Sequence, residues 1–334
     1  MIKISKVNLS IIENHEEIGN SNLTFKISGS NIDYIVVNTL RRTIFSDIPI
    51  YAFNTFNFEK NTSIFHNNYL KLRLQHMPIW SIKNNIEFIE SDNVKDNMSK
   101  IDENDDEDNI GEIESNTNLN SSSLNQLTMY VNYKNKSNEI FSVTTAHAKF
   151  YYDQKQLSNP YKNECLIVKL QPGQEIAMSS ITNLGTEKQD TIYSAVSIVT
   201  YKQNNENDFD FTLESRGQIN EKRILQVALI NIERNLKHFL NMFIESLKNE
   251  DPNEEEGLII VNNEDHTLGN LISRGMQKHS KIKFAGYNLP HPLANKVHFH
   301  YQLADNGNIK KIMEDVIEYY LELFGSITKL IDKI

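Results

Sequence analysis

The sequence predicts an α+β protein built from two related halves. The first observation is a pair of long amphipathic patterns, in which apolar residues recur at helical spacing over residues 220–248 and over about 308–332. The second is that strand-like segments precede each of these two helices. The third is a short repeat, because the spacing N-x-L-x-R that begins at Asn38 returns as N-x-I-x-R at Asn270.

The first half opens with two alternating segments, at residues 3–11 and 23–28, that predict strands. The segment DYIVVNTLRRTIFSDI then predicts a short helix, which Pro49 ends. YAFNTFNFEKN predicts another strand. SIFHNNYLKLRLQHMPI predicts a short helix that ends before Pro78.

Residues 90–126 change character and predict a disordered acidic insertion. Residues 87–114 hold 12 acidic residues and 2 lysines, which accounts for the whole formal net charge of -10. The rest of the chain is near neutral. The folded body therefore lacks the broad surface of one sign that a basic nucleic-acid binder or a polyanion mimic needs.

After the acidic insertion, ordered structure is predicted to resume at the segments LTMYVNYK and EIFSVTTAHAKFYY. A strand over ECLIVKL precedes the turn QPGQ, and a strand over SAVSIVTY follows a loop. The helix over residues 220–248 has Asn220 as its cap, and Pro252 lies in a charged linker behind it. A strand, a turn and a helix follow, then strands over KIKFAGYN and KVHFHYQL, and the second long helix.

Each long helix carries a continuous apolar seam that needs a partner. The first seam runs through Leu225, Leu229, Ile232 and Leu236, and the second includes Val316 and Tyr320. The matched seams favour packing of the two helices against each other. The alternative is that each helix packs only on the sheet of its own half.

No metal or cofactor site is predicted. The acidic run that starts at Asp102 has Glu107 and Ile113 where a calcium-binding loop needs glycine and glutamate. His298 and His300 share one strand face, but no third metal ligand is evident. The single cysteine, Cys165, excludes a disulfide framework and is expected to be a buried apolar residue. Phosphate-binding loops and hydrolase motifs are also lacking.

Several motifs in order carry a resemblance to a known family. VNTLRRTIFSDIPIYAF, NTSIFHNNYLKLRLQHMPI, LQPGQEI and FTLESRGQI resemble the larger alpha-like assembly subunit of cellular multisubunit RNA polymerases. NEDHTLGNLI and FAGYNLPHPL resemble the smaller alpha-like partner. The resemblance covers roughly residues 1–85, 140–247 and 258–334. These two subunits are usually separate chains, and their fusion here resembles the arrangement in some large cytoplasmic DNA viruses.

The resemblance implies two alpha-like dimerisation modules, each a sheet plus two helices, paired within one chain. The first module would comprise residues 1–55 and 186–248 and would carry an inserted, mostly β subdomain at residues 56–185. Residues 249–257 would be the linker, and residues 258–334 would form the second, smaller module. The cysteine-rich metal module of some larger alpha-like subunits is lacking, because this chain has one cysteine.

The resemblance also implies a non-catalytic assembly platform for a DNA-directed RNA polymerase. Its expected partners are the second-largest and then the largest subunit, together with small zinc-binding subunits, with little or no contact to nucleic acid and none to membrane. The start of the chain has no apolar signal core, so we expect an intracellular, non-secreted protein. Its compartment would be the host cytoplasm and the virion for a viral source, and otherwise the nucleus.

Two other functions stay open at this point: an independent scaffold or adaptor that retains the fold, and an enzyme that uses the acidic cluster. The spacing of the acidic residues argues against the enzyme, and the intact NTLRR and EDHTLGN motifs argue against the adaptor.

By resemblance, Arg41 and Arg42 would face the second-largest subunit, since a guanidinium can bind carboxylates or carbonyls with two parallel hydrogen bonds. Asp265 or Thr267 would cap the helix that follows, and Gly269 would permit close helix approach. The full set of expected interface residues is Asn38, Arg41, Arg42, Leu225, Leu229, Ile232, Leu236, Glu264, Asp265, His266, Thr267, Leu268, Gly269, Asn270, Phe284, Gly286, Tyr287, Pro290, His291, Pro292, Val316 and Tyr320.

Overall fold

A computed structural model describes residues 7–17, 20–80, 126–152, 155–161, 163–247, 252–291, 296–304 and 307–333. The acidic insertion predicted at residues 90–126 lies outside these residues except for its last position, and so does Pro292. The chain divides into two compact units. The first contains described residues 7–48 and 186–333, and the second contains described residues 49–80 and 126–185.

Five α-helices and fourteen strands lie in the described part of the chain. In chain order they are β1 (Asn8–Glu17), β2 (Asn20–Ser28), α1 (Tyr34–Ser46), β3 (Ile50–Asn61), α2 (Asn67–Gln75), β4 (Leu127–Lys134), β5 (Phe141–Thr144), β6 (Ala148–Tyr152), β7 (Lys155–Leu157), β8 (Leu166–Leu170), β9 (Glu175–Gly185), β10 (Val196–Asn205), β11 (Asp208–Ser215), α3 (Glu221–Ser246), β12 (Glu256–Asn262), α4 (His266–Lys278), β13 (Ile282–Asn288), β14 (Lys296–Leu303) and α5 (Ile309–Ile331).

The first unit contains two antiparallel sheets and four helices. One sheet has the strand order β1-β2-β11-β10, and the other has the order β12-β14-β13. Alternation along β11 places Phe209, Phe211 and Leu213 in the core, where Phe211 stacks on Phe25 with ring centroids 5.1 Å apart. The predicted α+β class is confirmed, and each half supplies one sheet and two helices to this unit.

The long helices α3 and α5 pack against each other along their apolar seams. Every predicted seam residue is buried, and Leu236, Val316 and Tyr320 have no exposed surface. Polar contacts show that the helices run antiparallel: the Gln226 side chain near the start of α3 donates to the Asp332 carboxylate at the end of α5, at 2.8 Å. The helix pairing predicted from the matched seams is thus present within one chain.

The second unit is mostly β. Its five-stranded antiparallel sheet has the order β3-β9-β4-β6-β7, and β5 pairs with β8. The short helix α2 buries Leu70 and Leu74 and is tied to β8, because the Arg73 guanidinium donates to the Ile167 carbonyl at 3.0 Å. Gly173 has a positive φ of 81° in the predicted QPGQ turn, a conformation that glycine adopts without strain.

Three strands, β7, β9 and β11, do not appear among the strands that the sequence predicts. The strand β9, which pairs with β3 on one side and β4 on the other, lies where a loop is expected, because Ser180 and Thr182 occupy buried positions and hide the apolar alternation. The Thr182 hydroxyl is satisfied there by the Leu127 backbone N–H at 2.9 Å. β11 begins with alternating acidic and aromatic residues, Asp208, Phe209, Asp210 and Phe211, and this alternation is typical of a strand.

Three local expectations differ from the structure. β3 runs without a break across the boundary expected at residue 55, since its whole length pairs with β9. β12 begins at Glu256, inside the stretch expected to be a linker. The expectation that Cys165 is buried is wrong, because this residue precedes β8 and is partly exposed.

Candidate functional site

The NTLRR motif and the HTLGN part of the EDHTLGN motif lie on two helices of equal length that pack against each other. α1 and α4 each have 13 residues. An aspartate caps each one: the Asp33 carboxylate accepts the Val36 N–H at 3.1 Å, and the Asp265 carboxylate accepts the Thr267 N–H at 2.6 Å. Of the two caps that the sequence allowed for α4, the structure thus assigns Asp265.

An arginine follows each capping aspartate nine positions later, and each arginine reaches the cap of the opposite helix. Arg42 of α1 lies 3.9 Å from the Asp265 carboxylate and donates to the Thr267 hydroxyl at 2.8 Å. Arg274 of α4 lies 3.6 Å from the Asp33 carboxylate. The helices are therefore antiparallel and related by a local two-fold arrangement, and the sequence repeat is a structural repeat.

The two reciprocal contacts are not equally tight. Asp33 is 15% exposed and also binds the Lys278 ammonium at 2.9 Å. Asp265 is 40% exposed, and its second cation, Lys188, lies 3.9 Å away. Because screening by water weakens exposed ion pairs, the Asp33 contact is the stronger structural link.

A cavity of about 120 Å³ opens at the junction of α1 and α4. Two polar contacts lie at its edge: the Arg41 guanidinium donates to the Asn38 side-chain oxygen at 3.0 Å, and the His266 ring lies 3.3 Å from the Tyr287 hydroxyl. Six of its eight lining residues are among the expected interface residues. The lining residues are Ile35, Asn38, Thr39, Arg42, His266, Thr267, Asn270 and Tyr287.

Carboxylates gather beside this junction, at the end of α1 and the start of α4. Burial raises the pKa of Glu264 to about 8, and the negative charge of Asp265 adds to this shift. Burial alone would raise the pKa of Asp265, but the hydrogen bonds from Thr267 and the charges of Lys188 and Arg42 lower it overall. These two adjacent acids therefore differ in charge at neutral pH. Asp265 is ionised and can interact with the Arg42 cation, whereas Glu264 is largely protonated.

The backbone around this site requires particular residues. Asn263 adopts a left-handed φ of 61°, which turns the chain from β12 towards α4. A methyl group at Gly269 would lie 2.7 Å from the Tyr287 ring and 3.2 Å from Val297. Gly269 was expected to permit close helix approach, whereas the side chains that it approaches here belong to the strands β13 and β14.

The remaining expected interface residues that the structure describes are not among those that line the cavity. Leu268 is buried within α4, and Phe284 and Gly286 lie on β13, where Phe284 is 57% exposed. Pro290 and His291 are exposed in the turn after β13. The seam residues of α3 and α5 lie in the core.

Several residues of the junction were absent from the sequence-based set: Asp33, Lys188, Arg274 and Lys278. The equal spacing from Asp33 to Arg42 and from Asp265 to Arg274 is the signal that would have found two of them. Gly275 was also absent, although a methyl group there would lie 2.5 Å from Val316 on α5.

His298 and His300 share the outer face of β14, as predicted. Within the described ranges, no three His, Cys, Asp or Glu side chains are arranged to hold a metal ion. None of the described helices is long and apolar enough to cross a membrane.

Comparison with known proteins gives matches for the second half and for nearly the whole chain. Residues 256–329 match the RNA polymerase Rpb3/Rpb11 dimerisation domain. The chain is 25% identical to a protein assigned as DNA-directed RNA polymerase subunit R470 of Acanthamoeba polyphaga mimivirus, over 98% of this chain and 94% of that relative.

The second half is also similar to shorter cellular subunits. Over 21% of the chain, it is 35% identical to a protein assigned as subunit RPAC2 of RNA polymerases I and III in Caenorhabditis elegans, of which 48% is covered. It is 36% identical to the RNA polymerase II subunit rpb11 of Dictyostelium discoideum, of which 62% is covered. These similarities confirm the resemblance to fused alpha-like RNA polymerase subunits.

Proposed function

We propose that the chain is the assembly platform of a multisubunit DNA-directed RNA polymerase. In this proposal the two halves pair within the chain, the paired body binds the second-largest subunit, and that complex then binds the largest subunit. Small zinc-binding subunits dock on the same assembly. Since one relative is viral, we propose that the protein acts in the cytoplasm of the infected host.

The single observation that carries this proposal is the convergence of both motifs on one partly exposed junction. Arg42 is 43% exposed beside a cavity whose lining comes from both halves. A binding surface of this kind exists only when the halves are paired. It therefore links pairing to the recruitment of the next subunit, which is the order that assembly requires.

The fusion supports the same role physically. When two modules are joined by a short linker, pairing becomes intramolecular at an effective concentration on the order of millimolar. A fixed ratio of one first half to one second half follows. The fully buried seams of α3 and α5 resemble an obligate interface, which is typically more apolar than a transient one.

Stepwise reconstitution tests this function. The chain is mixed with its second-largest subunit, the largest subunit is added, and RNA synthesis on a DNA template is measured; a parallel reaction omits the chain. We expect a complex of the chain with the second-largest subunit and RNA synthesis that depends on the chain. Equal RNA synthesis without the chain would contradict the platform role, and a failure to bind a folded second-largest subunit would favour the adaptor.

A further inference from the structure

Each half has the same N-x-D segment before its short helix, but the residue between the asparagine and the aspartate differs. It is Ile32 in the first half and Glu264 in the second. Ile32 has no exposed surface, and Glu264 is half-buried. The repeat therefore shows that an apolar side chain can fill this place, so a carboxyl group before the helix is a feature of the second half alone.

Glu264 lies where charged groups of both halves meet. The charges that act on its carboxyl group are those of Asp265 next to it and of Asp47 and Lys188 from the first half. Arg42 and Lys188 each lie 3.9 Å from the Asp265 carboxylate. Three carboxyl groups thus meet two cations, and both cations lie against Asp265.

Asp47 is held at this junction by contacts of its own. Its carboxylate accepts the Ser46 hydroxyl at 2.8 Å, and its backbone carbonyl accepts the side-chain amide of Asn231 on α3 at 3.0 Å. Burial raises the pKa of Asp47, and burial together with the charge of Asp47 raises the pKa of Glu187. The carboxyl groups at the junction therefore outnumber the cations that balance them.

The side-chain oxygen of Asn231 gives independent evidence for a proton here. Asn231 is 4% exposed, and this oxygen has no hydrogen-bond donor in the described part of the chain. Because its amide nitrogen binds the Asp47 carbonyl, the oxygen lies beside the carboxyl groups of the junction. A buried acceptor without a donor costs free energy, and a protonated carboxyl group can donate whereas a carboxylate cannot. At the equivalent place in the second half the groups are paired, since the His279 ring lies 3.3 Å from the Asp315 carboxylate.

We propose that Glu264 is a proton-dependent switch in the pairing of the two halves. In its protonated form, Glu264 adds no charge to the junction, and Asp265 keeps Arg42 and Lys188. In its ionised form, it repels Asp47 and Asp265 and competes with Asp265 for Lys188. The Arg42 side of the junction then loosens. This inference concerns the chain alone and goes beyond the platform role, so it stands or falls independently of any second subunit.

The pH range of the switch follows from the surroundings of Glu264. Burial raises its pKa from an ordinary value of 4.5 to about 8. Because the paired chain binds this proton more tightly than the unpaired chain, pairing is strongest below about pH 4.5 and weakens as pH rises through about 8. The opposite side of the junction has no such acid, because Asp33 is 15% exposed and lies 3.6 Å from Arg274 and 2.9 Å from Lys278. We therefore expect only the Arg42 side to respond to pH in this range.

Titration of the full, unaltered chain by nuclear magnetic resonance tests the proton itself. The glutamate side chains are labelled with carbon-13, and the carboxyl signal of Glu264 is assigned by correlation to its own backbone amide. We expect this signal to titrate near pH 8, whereas an ordinary exposed glutamate titrates near about pH 4.3. A midpoint for Glu264 near that ordinary value would overturn the proposal.

Two substitutions in the first half test whether Glu264 senses the paired state. Asp47→Asn removes a negative neighbour, so the midpoint of Glu264 should move to lower pH, and Lys188→Gln removes a positive neighbour, so the midpoint should move to higher pH. The matched control is Glu256→Gln, which removes an exposed carboxylate from the start of β12 and should leave the midpoint unchanged. Unchanged midpoints in the two first-half variants, or shifts of the same sign in both, would contradict a switch between the halves.

Amide hydrogen exchange, corrected for the intrinsic effect of pH on the exchange rate, locates the loosening. The N–H groups of Thr267 and Gly269 are bonded to Asp265 in the first turn of α4, and their protection should fall between about pH 6 and pH 9. The matching N–H groups of α1, which are bonded to Asp33, are the internal control and should keep their protection. Glu264→Gln, and Glu264→Ile, which copies the first half, should both keep the α4 protection at the higher pH. Equal protection of α4 at both pH values in the unaltered chain would overturn the switch.

Discussion

Leu236 is the position where the pairing of α3 with α5 can be perturbed most directly. Its side chain lies in the α3 seam and is 0% exposed. Removing a buried leucine side chain costs about 2–5 kcal/mol. In Leu236→Asp the new carboxyl group must also lose its hydration or take up a proton, at about 1.4 kcal/mol for each unit by which its pKa rises. We expect Leu236→Asp to lower the free energy of unfolding by about 5 kcal/mol or more, which is comparable with the whole stability of a typical domain.

Urea unfolding followed by far-ultraviolet circular dichroism measures this loss. Lys237→Asp is the matched control, because it places the same carboxylate one residue away on the exposed face, where it replaces the surface ion pair of Lys237 with Glu233 by two like charges in water. That control should cost about 1 kcal/mol. Leu236→Met, which keeps the volume, should cost less than about 1.5 kcal/mol.

The pH dependence of the destabilisation by Leu236→Asp distinguishes the buried carboxyl group from the loss of packing, because a loss of packing alone does not change with pH. A carboxyl group whose pKa is raised in the folded state binds more protons there than in the unfolded chain, so its stability contribution falls as pH rises. The deficit of Leu236→Asp should therefore be smaller at pH 5 than at pH 8. If Leu236→Asp unfolded at the same urea concentration as Lys237→Asp, the buried helix seam would be refuted.

Three further predictions concern the junction and its glycines. Asp33→Asn should destabilise the chain by about 1–2 kcal/mol and Asp265→Asn by less than about 1 kcal/mol, since only the first is well buried, and urea unfolding compares them. Gly269→Ala should destabilise by about 1–3 kcal/mol through overpacking, whereas Gly325→Ala, where a methyl group meets open space, should stabilise by up to about 1 kcal/mol, as thermal melts would show. The pKa of Glu264, raised to about 8, predicts that stability falls between about pH 4.5 and pH 8, and that Glu264→Gln lessens this fall in melting temperatures measured across that range.

The helices could be predicted from the sequence because their signals are local. The spacing of apolar residues placed the long helices within about two residues of α3 and α5, and Asn220 supplies the expected cap at 2.8 Å from the Arg223 N–H. β9 could not be found this way. Its buried positions include Ser180 and Thr182, whose burial depends on neighbouring strands that are distant in sequence.

The candidate site shows the same division between local and distant information. Asn38, Arg42, Thr267 and Asn270 could be selected from their motifs, and they meet at the cavity. The unequal strength of the two aspartate–arginine contacts could not be predicted, because it depends on how deeply each aspartate is buried after the helices pack. Lys278 reaches Asp33 across 245 sequence positions, and no local pattern encodes that contact.

Light scattering on a sizing column, with the full chain alone and then with its second-largest polymerase subunit, tests the central claim most directly. Pairing of the two halves within one chain predicts a mass of about 38.7 kDa for the chain alone and a one-to-one complex when the partner is added. A mass of about twice that value for the chain alone would contradict pairing within the chain. The absence of any complex with a folded partner would contradict the platform itself.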